Sequence, residues 1–182
     1  MMIDSQLAFT SVGSNQTLIG GAGINIPSTN VIDLLGQGSG TAPTNIIGLP
    51  SSGLFGTDFG IGSEVEELQV TIGTAPTTSN GALLNVAFQA APDTATTHLP
   101  GTWVTLAETG PLALANTGAS AIVARFKFPV AVPPGLSPRY VRLLYQPGAA
   151  ANFTAGTIQS AFITPVRDDF ANKWMSSNYV VS

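Results

Sequence analysis

The chain has 182 residues, which is enough for one domain with its own hydrophobic core. Asp, Glu, Lys and Arg make up only 9% of it and the formal net charge is −4, so the sequence lacks the basic surface of a nucleic-acid-binding protein. The absence of cysteine excludes disulfides, thiolate nucleophiles and cysteine-bound zinc.

The hydropathy of the chain points to protein partners. Mean hydropathy is +0.31, yet no apolar run reaches the roughly 18–20 residues that span a bilayer. The first residues carry an acid and lack the basic-then-apolar pattern of a signal peptide. We therefore expect no membrane partner and no secretion. Because charge keeps free monomers apart, a surface this poor in charge favours permanent contact with other subunits.

The first third of the chain contains short candidate strands followed by a long loop. Residues 6–12, 16–19 and 30–34 have the composition of strands, and a glycine cluster at 20–23 separates two of them. The glycine-rich segment 35–62 has no strand pattern and is longer than most loops in compact domains. We expect it to be an insertion loop.

Six longer segments alternate apolar and polar residues with a period of two, as half-buried strands do. The predicted inward positions are Leu68, Val70 and Ile72; Leu84, Val86 and Phe88; Val104 and Leu106; Ile122, Ala124, Phe126 and Phe128; Val141, Leu143 and Tyr145; and Ile158, Ser160 and Phe162. Arg125 and Lys127 fall on one outward face. Eight or nine short strands separated by Gly and Pro clusters predict an antiparallel β-sandwich or barrel.

The tail, residues 166–182, has a different pattern. Arg167, Phe170 and Trp174 follow Pro165 with helical spacing, so a short C-terminal helix is predicted, with an extended end. A helix this short is marginal alone, so its aromatic side chains need a surface to pack on. That surface is either the chain's own sandwich or a neighbouring subunit. The candidate partner contacts are Phe170, Trp174, Tyr179, Val180 and Val181.

The search for catalytic and metal-binding residues finds no convincing set. His98 is the only histidine, and Asp93 is its nearest carboxylate in the sequence. Serines are too plentiful for a Ser-His-Asp interpretation to carry information, so we expect His98 to be a loop residue without a function. Three carboxylates, Glu64, Glu66 and Glu67, could hold a hard cation, but a solvated strand entrance is the preferred interpretation.

Other candidate sites are equally weak. Asp168 and Asp169 fit the acidic first turn of a helix, and the glycine loops lack the lysine of a phosphate-binding loop. Trp103 is the one aromatic residue suited to a carbohydrate- or receptor-binding site, but its strand pattern predicts that it lies in the core. The sequence thus predicts no catalytic, cofactor-binding or metal-binding residue and no enzymatic activity.

Four segments, in order, resemble one family. They are Met2–Phe9 (M-I-D-S-Q-L-A-F), Ser28–Leu34 (S-T-N-V-I-D-L), Arg139–Tyr145 (R-Y-V-R-L-L-Y) and Asn152–Phe162 (N-F-T-A-G-T-I-Q-S-A-F). Together they are similar to the jelly-roll capsid cement, or decoration, proteins of short-tailed phages, the kind first described on a Bordetella phage head. The likeness covers about two-thirds of the chain, and the segments 35–62 and 166–182 depart from it.

The resemblance implies a fold and a role. The expected fold is an antiparallel jelly-roll β-sandwich spanning residues 1–165, followed by the tail. The expected role is to bind the outer surface of the phage head and stabilise it, with the protein made in the host cytoplasm. The major capsid protein is the implied partner, together with a second copy in a homodimer or further copies in a homotrimer. A carbohydrate- or receptor-binding phage jelly roll is the alternative.

Overall fold

A computed structural model of the chain describes residues 8–11, 13–34, 66–127 and 130–165. Over these ranges the protein is all-β, and its helical structure is a single 3₁₀ turn at Leu114–Asn116. The insertion loop 35–62 and the tail 166–182, with its predicted helix, lie outside the described residues. Where the chain is described, no helix has the length and apolar character needed to cross a membrane.

Within these ranges, nine antiparallel strands form two sheets. In chain order they are β1 (Gln16–Thr17), β2 (Ile26–Pro27), β3 (Ile32–Asp33), β4 (Glu66–Ile72), β5 (Asn85–Ala91), β6 (Val104–Glu108), β7 (Ile122–Lys127), β8 (Tyr140–Gln146) and β9 (Thr157–Pro165). The first sheet has the order β1-β9-β4-β7. The second sheet has the order β2-β8-β5-β6, and β3 also pairs with β8. The predicted all-β antiparallel class is therefore confirmed.

Apolar side chains from both sheets form one buried cluster, which we call the core. Leu68, Val70 and Ile72 of β4 are fully buried, as the alternation predicted. The same holds for Val86 of β5 and Leu143 of β8. Burial of such side chains stabilises the fold by about 1.5–3 kcal/mol each.

Two β-bulges change which residues face the core. Between β4 and β7 the register shifts after the Val70–Ala124 pair, so Val123 is buried and Ile122 is 42% exposed. An extra residue in one strand reverses the face on which the following side chains lie. The inward position predicted for Ile122 is therefore wrong.

A second register shift affects β9. It lies between the pairs that β4 makes with Ser160 and with Ile158. Ala161 and Ile163 consequently join the core in place of Ser160 and Phe162. Phe162 is buried but lies outside the core, and it forms an isolated β-bridge with Ala8. In the described part of the predicted strand 6–12, this is the only β-bridge.

The central strands of the second sheet are buried on both faces. Ala87 and Gln89 of β5 and Tyr140 and Leu144 of β8 are each 8% exposed or less, although they alternate with the core residues. The simple alternation had predicted that this opposite face is solvated. A strand that is buried on both faces has no solvated face, so alternation of apolar and polar residues does not describe it. For this reason the alternation predicted the wrong exposure here.

Candidate functional site

A largely buried ionic cluster lies where three segments that are distant in sequence meet at the start of β8. Arg139 donates two hydrogen bonds to the carboxylate of Asp33, at 3.1 Å from Nε to Oδ1 and 3.0 Å from Nη2 to Oδ2. Its Nη1 donates to Oδ2 of Asp93 at 2.7 Å. The side chains of Arg139 and Asp33 are 11% and 4% exposed. Arg139 is therefore nearly buried, although arginine is mostly found at protein surfaces.

His98 joins this cluster from the loop between β5 and β6. Its Nδ1 lies 2.9 Å from Oδ2 of Asp93, and the hydroxyl of Tyr140 donates to the His98 carbonyl at 2.6 Å. His98 also has a left-handed backbone, with φ +51°, which costs free energy and must be held by its surroundings. His98 is a loop residue, as predicted, and it has a structural role there, because both its ring and its backbone carbonyl hold the loop against β8.

The protonation of the cluster follows from these contacts. The hydrogen bond from His98, with a further one from Arg139, lowers the pKa of Asp93 against an opposing effect of burial. The hydrogen bond to Asp33 raises the pKa of Arg139, so its charge is fixed. Burial raises the pKa of Tyr140 to about 12, which keeps its hydroxyl a donor near neutral pH.

The cluster has the contacts of a structural cross-link. Within the described ranges, the partners of the His98 ring are Asp93 and Arg139, and no hydroxyl group hydrogen-bonds to either ring nitrogen. The guanidinium of Arg139 occupies the space between the two carboxylates. No group of three or more His, Cys, Asp or Glu residues among those described could hold a metal ion.

A second polar group lies next to the ionic cluster, on the face of the second sheet opposite the core. The guanidinium carbon of Arg142 lies 4.1 Å from the ring centroid of Trp103, and Nε of Arg142 donates to Gln89 at 2.9 Å. Gln89 in turn donates to Thr105 at 3.1 Å. Trp103 is only half-buried and lies outside the core. The prediction that Trp103 is a core residue is therefore wrong.

The remaining predicted site residues have different outcomes. Glu67 is 5% exposed and accepts hydrogen bonds from Arg125 at 3.1 Å and from Gln69 at 3.0 Å. It belongs to a central strand, so the interpretation as a solvated strand entrance is wrong for this residue. Arg125 and Lys127 are both exposed, as predicted.

Several predicted residues cannot be placed. Glu64 and the side chain of Glu66 lie outside the described residues, as do Asp168 and Asp169. The predicted partner contacts lie outside them too: Phe170, Trp174, Tyr179, Val180 and Val181.

Comparison of the chain with protein-family models and with curated proteins finds no match.

Proposed function

We propose that this chain is a phage capsid decoration protein, which binds the outer surface of the major capsid shell and stabilises it against the pressure of packaged DNA. The proposal adopts the role implied by the family resemblance. The low charge content supports it, because apolar contacts between subunits keep their strength when the salt concentration changes.

The strand pairing supports a jelly roll as the finer fold. Counting β2 and β3, which both pair with β8, as parts of one strand turns nine strands into eight. These eight then pair first with last, second with seventh, third with sixth and fourth with fifth. Such pairing is that of one long antiparallel ribbon wound into two sheets, the architecture that viral capsid jelly rolls use.

The single observation that carries the proposal is the contact between segments that carry the resemblance. Asp33, from the S-T-N-V-I-D-L segment, is ion-paired to Arg139, the first residue of the R-Y-V-R-L-L-Y segment. Ser28 of the first segment accepts a hydrogen bond from the backbone of Leu143 in the second at 3.0 Å. Two of the segments that resemble the family therefore contact each other through specific polar side chains. Such contacts support a fold shared with that family rather than a chance similarity between apolar strands.

The proposed mechanism is mechanical. A homodimer or homotrimer contacts neighbouring capsid subunits, and the area it buries must be exposed again before the shell can open. This role needs no catalytic group and no cofactor. It places the protein on the outside of the phage head after synthesis in the host cytoplasm.

The test is the copy number of the chain in purified virions made from the genome that encodes it. A decoration protein repeats with the symmetry of the shell, so quantitative mass spectrometry should find on the order of hundreds of copies. A head reconstruction should place the density on the outer surface. A handful of copies at the tail, or none in the virion, would contradict the proposal.

One observation favours the second candidate, a carbohydrate- or receptor-binding module. Trp103 is half-buried on the sheet face and stacked on Arg142, and aromatic side chains beside polar groups commonly bind sugars. The test is to add each glycan of a panel to the protein and to follow tryptophan fluorescence. The control variant is Trp103→Ala, which lacks the candidate binding ring. Saturable quenching that Trp103→Ala abolishes would support this function over shell binding.

A further inference from the structure

Three loops meet at one end of the sandwich. Residues 19–24, 76–83 and 147–154 are joined by backbone hydrogen bonds from Gly23 to Ala151 at 2.8 Å and from Leu83 to Pro147 at 3.2 Å. A bridge from Ile19 to Phe153 ties the first loop to the third. We call the surface formed by these three loops the loop end.

The loop end is held rigid by side-chain amides and hydroxyls. Asn80 donates to Asn152 at 2.8 Å and accepts from the Asn152 backbone at 3.1 Å. Thr78 donates to the Asn152 carbonyl and accepts from the backbone of Ala82. Ala150 has a left-handed backbone, with φ +56°, a strained conformation that such a network can maintain. A surface ordered in this way loses little conformational entropy when it binds a partner.

The loop end exposes large apolar side chains and has no charged residue. Ile24 is 58% exposed, Ile19 57% and Leu83 42%. The sequence has no Asp, Glu, Lys, Arg or His between Asp4 and Asp33, between Glu67 and Asp93, or between Arg142 and Arg167. Three of the six exposed large apolar residues in the described part of the chain lie at this end. Such clustering is typical of an interaction surface.

We propose that the loop end is the surface through which the chain binds a second copy of itself. Each copy has a net charge of −4, so two copies repel each other wherever charged surfaces meet. The loop end brings no charge of its own to the contact. The amides of Asn80 and Asn152 pair with each other within the loops, so the loop end offers a second copy its exposed apolar side chains. An apolar surface is complementary to itself, as a two-fold interface requires.

The experiment compares two substitutions of equal exposure. Ile24 at the loop end and Leu99 on the β5–β6 loop are both 58% exposed. The wild-type chain should be a dimer at micromolar concentration by sedimentation equilibrium, at low and at high salt. Ile24→Asp should weaken the dimer about tenfold or more, because it places a buried charge opposite its own copy. Leu99→Asp should leave the dimer unchanged.

A second measurement covers the case in which Ile24→Asp does not fold. The chain has no cysteine, so a single cysteine can replace either of two exposed alanines, Ala22 of the loop end or, as the control, Ala95 on the β5–β6 loop. Alkylation of Ala22→Cys should slow as the protein concentration rises into the dimer range, and that of Ala95→Cys should not. A wild-type monomer, a salt-labile dimer, or equal effects at both positions would overturn the proposal.

The self-association surface rests on the proposed function, which includes a homodimer or homotrimer. Experiments can nevertheless contradict the surface and the decoration role independently of each other. A dimer that forms through the loop end and is never found on virions would contradict the decoration role alone. A wild-type monomer that loses its place on heads when Ile24→Asp is introduced would identify the shell as the occupant. That result would overturn the self-association proposal alone.

Discussion

Arg139 and Asp33 lie 106 positions apart in the sequence and are joined by hydrogen bonds of 3.0 and 3.1 Å in a site that is almost fully buried. This pair ties β3 to the start of β8. The same guanidinium binds Asp93 on the loop that follows β5. One side chain therefore adds an ionic cross-link between three segments that strand pairing already brings together.

Removing the Arg139 side chain should destabilise the fold. We expect Arg139→Leu to lower the free energy of unfolding by about 3–5 kcal/mol, because it leaves a buried carboxylate without its cation. The exposed cation Lys127 provides the control, and Lys127→Ala should change the free energy of unfolding by less than about 0.5 kcal/mol. Urea unfolding of both variants measures this. A loss below about 1 kcal/mol in Arg139→Leu would show that Asp33 reaches water or another donor.

Acid should weaken the same cluster. The pKa of Asp93 is lowered in the folded state, chiefly by its hydrogen bond with His98. Its contribution to stability is therefore fully present above the ordinary carboxyl pKa of about 3.9 and is lost as pH falls through the lowered folded value. The urea midpoint of the wild type should fall as the pH drops below about 4, and Asp93→Asn should show a smaller fall. Identical pH profiles would be the contradicting result.

The same substitution at two tyrosines of β8 should have opposite signs. The hydroxyl of Tyr140 donates to the His98 carbonyl, so Tyr140→Phe should destabilise the fold by about 1 kcal/mol. The hydroxyl of Tyr145 is buried and has no hydrogen-bond partner among the described residues. Tyr145→Phe should therefore stabilise the fold by about 1 kcal/mol. Thermal unfolding of the pair checks both, and two shifts of the same sign would contradict this account.

The period-two alternation was sufficient to predict the class of fold and most of the long strands. It failed where local geometry broke the period. The bulge at Val123 puts Ile122, at the start of β7, on the exposed face, and nothing in the residue types around Ile122 marks it. The two-residue strand β2 was missed because Ile26–Pro27 is too short to show any period and contains a proline, which disfavours a central strand.

The ionic cluster was harder to predict than the strands. Its members come from the 33rd, 93rd, 98th and 139th positions, and only the completed sheets bring them together. One signal was present in the sequence. In a chain with so few charges, Asp33 within an apolar strand and Arg139 at the start of another are each costly to bury alone. Opposite charges at such positions are candidates to pair, and this argument would have connected β3 to β8.

The last prediction concerns the tail. As a hypothesis, deleting residues 170–182 should leave the two sheets folded, because the described core is built from residues 9–163. A short terminal helix needs a surface for Phe170 and Trp174. If that surface belongs to a neighbouring subunit, the truncation should keep its melting temperature while self-association or occupancy on heads falls. Trp174→Ala in the full-length chain is the matched control and should reproduce part of the loss. Outright unfolding of the truncated chain would assign the tail to its own core, whereas normal assembly and occupancy would remove the tail from the interface.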